Sequence, residues 1–218
     1  MSERYPDITR DDAGVVLVNE WNVGTRDRQR AGADAVARLW RAEPLPEHAL
    51  SLNLYVSDDG TSVLAYKQWT DLDAYREFAR TARSAQAGEV APGITRHEPT
   101  AYRLYRHGLG EQGAVPGSIV VVQFETRNET AARTLVDTLF DVYGDEEPGK
   151  GAIGSHFHIA VDGSRMLNYA EFVDAASHEA LITTETSGSR RLTSVLAEVE
   201  GITPLGFRRY TLHTAVAR

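Results

Sequence analysis

The stretch LSLNLYVSDDGTSVLAYKQW, Leu50 to Trp69, decides the fold because the chain contains it twice. The second copy reads IGSHFHIAVDGSRMLNYAEF, Ile153 to Phe172. A constant offset of 103 residues lays Asp59-Gly60 on Asp162-Gly163, Tyr66 on Tyr169 and Trp69 on Phe172. In each copy two runs of alternating apolar and polar residues flank Asp-Gly, a pair that tolerates the positive φ of a tight turn, so each copy reads as a β-hairpin. Positions where the copies agree are framework, and function is expected where they differ.

The same pattern extends outward from both hairpins. Before the first, Gly14 to Val23 alternates Val15, Leu17, Asn19 and Trp21 against Val16, Val18, Glu20 and Asn22, which reads as a strand. Thr25 can cap a helix in which Ala31, Ala35, Val36, Leu39 and Trp40 recur at helical spacing until Pro44 and Pro46 end it. After the hairpin, Asp71 opens a helix carrying Leu72, Tyr75, Phe78 and Ala79, with an exit at Pro92-Gly93, and AYRLYRH forms a fourth strand closing at His107.

The second half repeats this order. SIVVVQFE is a strand, Asn128 caps a helix bearing Ala132, Leu135, Val136, Leu139 and Phe140, and the second hairpin follows. Helical segments are expected over 175–184 and 190–199, and PLGFRRY, Pro204 to Tyr210, echoes PTAYRLY, Pro99 to Tyr105.

Each half is therefore β-α-β-β-α-β, the ferredoxin-like order. The expected organisation is an arm over 1–12, a first repeat over 13–107, a linker over 108–117 and a second repeat over 118–218. A sheet with both helices on one face leaves its other face needing cover. The expected fold is thus α+β: two tandem ferredoxin-like repeats packed sheet to sheet as a pseudo-dimer of the dimeric α/β-barrel type.

Composition narrows the function classes. At 218 residues, 42% hydrophobic and 25% charged, the chain is an ordinary globular one, and no run approaches the roughly 18 apolar residues of a membrane span. A net charge of -8 with no concentration of Lys and Arg argues against a nucleic-acid partner. The polar start MSERYPDITRDD lacks an apolar signal region, so the cytoplasm is the expected compartment. Without Cys there are no thiolate nucleophiles or thiolate metal sites. Gly108, Gly110 and Gly113 match a dinucleotide fingerprint in spacing, but Val115-Pro116 and a strand follow where a helix N-terminus is required.

With the hairpins, Trp69 and the Asp71 helix in view, the chain resembles the antibiotic biosynthesis monooxygenase family over nearly its whole length. The resemblance implies oxidation of a polycyclic aromatic polyketide, an anthrone or hydroquinone, by O2 with no cofactor required. It also implies an Asn-x-x-x-Trp pair on the second hairpin strand. Here that pair is split: the first half has Ala65 and Trp69, the second Asn168 and Phe172. A two-halved chain also resembles ring-cleaving oxygenases of the angucycline type, and that resemblance implies, as an alternative, reduced flavin as cofactor and a flavin reductase as partner. A polyketide cyclase and a non-catalytic small-ligand-binding barrel are the remaining alternatives, and a homodimer is a further expectation.

The candidate residues follow from the chemistry. A phenolic substrate deprotonated to its enolate can supply electrons to oxygen, and the protein must stabilise that anion with donors. His156 and His158 lie two apart on a strand and leave one face, where the first half has Asn53 and Tyr55. A neutral His can act as a base near neutral pH. His-x-His also suits a metal, but no third ligand has a telling spacing, so none is expected. Asn168 can donate through its amide. A two-residue Asp162-Gly163 loop would set Asn168 opposite Phe157 and Tyr169 opposite His156, and that register decides which residues share a face. The expected catalytic set is His156, His158 and Asn168. Trp69, Phe172, Tyr169, Asn53, Tyr55 and Trp21 are expected to position a small aromatic substrate.

Overall fold

A computed structural model describes residues 5–81, 94–111, 113–143, 149–183, 195 and 199–218. In chain order the elements are β1 (Val15–Asn22), α1 (Arg26–Arg41), β2 (Ala49–Ser57), β3 (Ser62–Trp69), α2 (Leu72–Ala79), β4 (Thr95–Arg96), β5 (Thr100–Leu109), β6 (Ser118–Thr126), α3 (Glu129–Tyr143), β7 (Ala152–Ala160), β8 (Arg165–Phe172), α4 (Ala175–Thr183) and β9 (Ile202–Ala217). This is β-α-β-β-α-β twice, with the two-residue β4 added. The Pro92-Gly93 exit and nearly all of the segment expected to be helical over 190–199 lie outside the described residues.

Contacts divide the chain into two compact units, Met1–Tyr102 with Tyr210–Arg218, and Arg103–Arg209. In the first, the antiparallel strand order is β5-β1-β3-β2-β9, drawing on the start of β5 and the end of β9. In the second it is β9-β6-β8-β7-β5. The ladder of β5 continues into the glycine-rich stretch, where Gly110 and Glu111 donate backbone bonds to the carbonyls of Ile153 and Ala152.

The offset of 103 residues recurs in the physical devices of both units. Thr25 and Asn128 accept from the backbone N–H of Arg28 and Ala131 to cap α1 and α3. Asp71 and Asp174 do the same for α2 and α4 through Ala74 and Ser177. Each such cap is worth about 1 kcal/mol. Gly60 and Gly163 take the positive φ of the hairpin turns, at 78° and 71°.

Each sheet buries one face under its helices. In the first unit that face carries Val15, Leu17, Trp21, Leu52, Leu54, Val63, Ala65 and Trp69, packed on Ala33, Val36, Ala37 and Trp40 of α1 and on Tyr75 and Phe78 of α2. In the second, Phe124, Phe157, Ile159 and Met166 meet Ala132, Leu135 and Val136 of α3.

The buried stripe of α1 differs from the expected one. It runs through Gln29, Gly32, Ala33, Val36, Ala37 and Trp40, while Ala31 is exposed. The reason is Gln29, whose amide nitrogen lies 3.0 Å from the Ser57 carbonyl and 2.7 Å from that of Ser62. A buried amide satisfied by the hairpin end costs little. Apolar periodicity counts it as polar and so rotates the expected face.

Candidate functional site

The hairpin register determines which side chains meet. In the second unit His156 pairs with Tyr169, Phe157 with Asn168 and His158 with Leu167, while Val122 of β6 pairs with Asn168 from the other side. This is the register of a two-residue Asp162-Gly163 turn. Directly paired residues share a face, so Asn168 stands with Phe157 and Val122 toward α3, and His156 and His158 leave the opposite face. The sheet separates the expected catalytic trio.

The remaining candidates divide the same way. Trp21, Trp69 and Phe172 lie on the helix-facing sides of their units. Tyr169 lies with the histidines in the second unit. Asn53 and Tyr55 occupy the equivalent opposite face of the first, where the Asn53 amide donates to Ser51 Oγ at 2.9 Å and to the Tyr66 carbonyl at 3.2 Å.

Away from the helices of the second unit, His156 is buried, and its Nε2 lies 3.2 Å from Glu171 Oε2. Its ring stacks on His107 at 6.0 Å and meets Tyr169 edge-on at 6.1 Å. Gly154 leaves the room for this pair, since a Cβ there would sit 3.0 Å from His156 Nε2 and 3.3 Å from Glu171 Oε2. His158 Nδ1 lies 2.9 Å from the His156 carbonyl, so Nδ1 carries the proton and donates. Burial pushes its imidazole down to about 3. The ring is therefore neutral near neutral pH and donates through Nδ1. Among the described residues, no three His, Asp or Glu side chains gather as a metal site.

On the helix-facing side, the Asn168 amide oxygen is buried without a hydrogen-bond partner. Further along the same face of β8, Phe172 meets His178 of α4 edge-on at 5.0 Å. The His178 ring also makes an edge-on contact with Phe207 at 5.0 Å. Arg209 Nε donates to His178 Nδ1 at 2.9 Å, which places the ring's proton on Nε2. Burial, then the neighbouring Arg209 cation, push His178 down to about 4, so it is neutral and presents an N–H donor. Sequence reasoning passed over His178. The signal was present in the offset, which lays Tyr75 on His178 as it lays Trp69 on Phe172, and Trp69 meets Tyr75 edge-on at 5.5 Å.

A small depression of about 140 Å³ in the second unit is lined by Arg103, Tyr105, Glu129, Arg133 and neighbouring residues of β7. It contains none of the expected site residues. No described helix is long and apolar enough to cross a membrane.

The resemblance to ring-cleaving oxygenases raises the question of a flavin held by the chain. The glycine-rich stretch runs from β5 into β6 and offers no helix N-terminus to a phosphate. Arg209, the cation beside His178, is engaged with His178 and Glu179. These residues do not fit a resident flavin.

No protein-family model matches the sequence, and no curated protein matches it. Among solved structures the chain is similar to an anthrone oxidase-like protein, at 14% identity over 95% of this chain and 94% of that one, with a TM-score of 0.74. It is also similar to a monooxygenase candidate from Fusobacterium nucleatum, at 9% identity over 96% of both chains and a TM-score of 0.62. A third likeness is to an uncharacterised ferredoxin-fold protein of Listeria monocytogenes related to antibiotic biosynthesis monooxygenases, at 10% identity over 95% and 98% with a TM-score of 0.52. At such identities the likeness establishes the fold, a tandem ferredoxin-like α+β chain of the kind found in antibiotic biosynthesis monooxygenase-like proteins.

Proposed function

We propose that this chain is an oxygenase that oxidises a phenolic polycyclic aromatic with O2, on the helix-facing side of the second unit. The observation that carries this reading is the Asn168 amide. Its buried oxygen has no partner, it is paired across strands with Phe157 and Val122, and it shares a face of β8 with Phe172. A buried polar atom left unsatisfied costs about 1–3 kcal/mol. A ligand with polar groups on a flat ring would recover that cost.

In this reading Asn168 Oδ1 accepts from a ring hydroxyl of the substrate, while the Asn168 N–H and the Nε2–H of His178 donate to the substrate oxygen that becomes the enolate. Burial alone would raise the substrate's pKa, and aimed donors offset this, each worth about 3–4 kcal/mol in oxyanion-type sites. The substrate proton passes to water, and the enolate then reduces O2. One oxygen atom ends as the new carbonyl and the other leaves in water, while the ring gains one oxygen and loses two hydrogens. Phe157 and Phe172 provide aromatic edges against which the rings lie. The fold similarity to an anthrone oxidase-like protein supports the same substrate class.

Asn168→Ala and His178→Phe test the assignment through oxygen uptake. Each should lower kcat by roughly 100-fold, while His156→Ala should change it far less. If His156→Ala abolishes turnover and the other two variants keep it, the chemistry lies on the opposite face of the sheet and the site assigned here is wrong.

A further inference from the structure

Position-by-position comparison of the units shows an exchange. In the second unit β6 contributes Val122 and β8 contributes Asn168 to one cross-strand pair. In the first unit the corresponding pair is Asn19 on β1 and Ala65 on β3. The asparagine and the small apolar residue have traded strands, which displaces the amide by about one strand spacing, roughly 5 Å, on the same face. The half that lacks an asparagine on its second hairpin strand regains one from its neighbour.

Two further observations make this more than a scattered polar residue. Asn19 Nδ2 donates to the His97 carbonyl at 3.3 Å, which orients the amide and turns its oxygen inward. That oxygen is buried without a partner, and so is the indole N–H of Trp69 on the same helix-facing side. Trp69 is 1% exposed, so its N–H is out of reach of bulk solvent. The first unit therefore holds a fixed acceptor and a fixed donor, both unsatisfied, within an apolar layer that includes Leu17, Leu54 and Tyr75. Phe172, the counterpart of Trp69, has no donor to offer.

From this we infer that the first unit carries its own ligand site, with Asn19 Oδ1 and Trp69 Nε1 as its polar contacts. It would take a planar aromatic bearing both a hydroxyl, which donates to Asn19, and a carbonyl, which accepts from Trp69. The inference rests on the helix-facing reading of the second unit only for the class of ligand. Its evidence is the first unit's own.

The test is titration calorimetry of the full chain with 1,8-dihydroxyanthraquinone, a stable ring system with both groups. Two equivalents should bind. Asn19→Val and Trp69→Phe should each weaken one of them by roughly tenfold without touching the other, and Asn168→Ala should weaken only the other. Because Asn19→Val could act by loosening the sheet, the double variant Asn19→Val with Ala65→Asn is decisive. It rebuilds the second unit's arrangement in the first and should restore the lost site.

One equivalent that responds to Asn168→Ala and ignores Asn19→Val and Trp69→Phe overturns the inference while leaving the proposed function standing. One equivalent with the reverse pattern supports the inference and overturns the second-unit site. Binding that is insensitive to Asn19→Val and Trp69→Phe, or absent, overturns the inference.

Discussion

Gly117→Ala should destabilise the chain by about 2–4 kcal/mol, and Gly14→Ala should do the same in the first unit. A Cβ at Gly117 would lie 2.3 Å from the backbone oxygen of Val173, and one at Gly14 would lie 2.0 Å from that of Thr70. Neither oxygen belongs to a flexible side chain, so relief requires moving the backbone between β8 and α4, or between β3 and α2. Those junctions carry the Asp174 and Asp71 caps. For a chain of this size each kcal/mol is about 2–4 °C in Tm. Thermal melts should therefore show losses of roughly 5–15 °C on the same scaling. Gly108→Ala is the control. Its Cβ would meet only the Phe140 ring at an ordinary 3.6 Å, and the melt should move little. A Gly117→Ala chain as stable as the parent would show that β8 and α4 are not held as described.

Acidification should weaken the fold well before the carboxylates titrate. The imidazole of His158 is held near 3 by burial, whereas in the unfolded chain it titrates near 6.5. Between those values the unfolded chain binds a proton that the folded chain refuses. The stability contributed by a neutral, buried His158 is thus fully present above about pH 6.5 and lost as the pH falls below it, at roughly 1.4 kcal/mol per pH unit. His178, also held low, adds a contribution of the same sign. Asp162 and Asp174, held below the ordinary carboxylate range chiefly by hydrogen bonds from Ser164 and Ser177, contribute only at lower pH, where stability falls as they protonate. Urea unfolding at pH 7.5, 6.5, 5.5 and 4.5 measures this directly. His158→Gln should flatten the profile by about 2–3 kcal/mol between pH 6.5 and 4.5. An unchanged slope in that variant would mean that His158 is not buried in neutral form.

Much of this architecture is legible in the sequence because the duplication acts as its own control. Thr25 and Asn128, Asp71 and Asp174, and the two Asp-Gly turns each appear at the same offset, and each has the same structural role in both units. The conditional register also holds, since Phe157 stands opposite Asn168 and His156 opposite Tyr169. That register is what dismantles the expected trio. Period-two alternation placed His156 and His158 together, but the relation of either to Asn168 depended on a turn that alternation alone does not fix. Gln29 hid the buried stripe of α1 because a polar residue satisfied inside the core leaves no trace in apolar periodicity. The partition of β5 and β9 between units was likewise out of reach, as a strand's local pattern does not name its neighbours. His178 was recoverable in principle, for it emerges once the repeats are compared beyond the hairpin.

The most direct test of the central claim is oxygen consumption with a tricyclic anthrone, with and without reduced flavin and its reductase, reading the product by mass. The account predicts uptake without flavin and a product that has gained one oxygen and lost two hydrogens. Product formed only when flavin is supplied, a cyclised product without added oxygen, or tight binding of the anthrone without uptake would contradict it. These outcomes would assign the chain to ring cleavage, ring closure or ligand binding respectively.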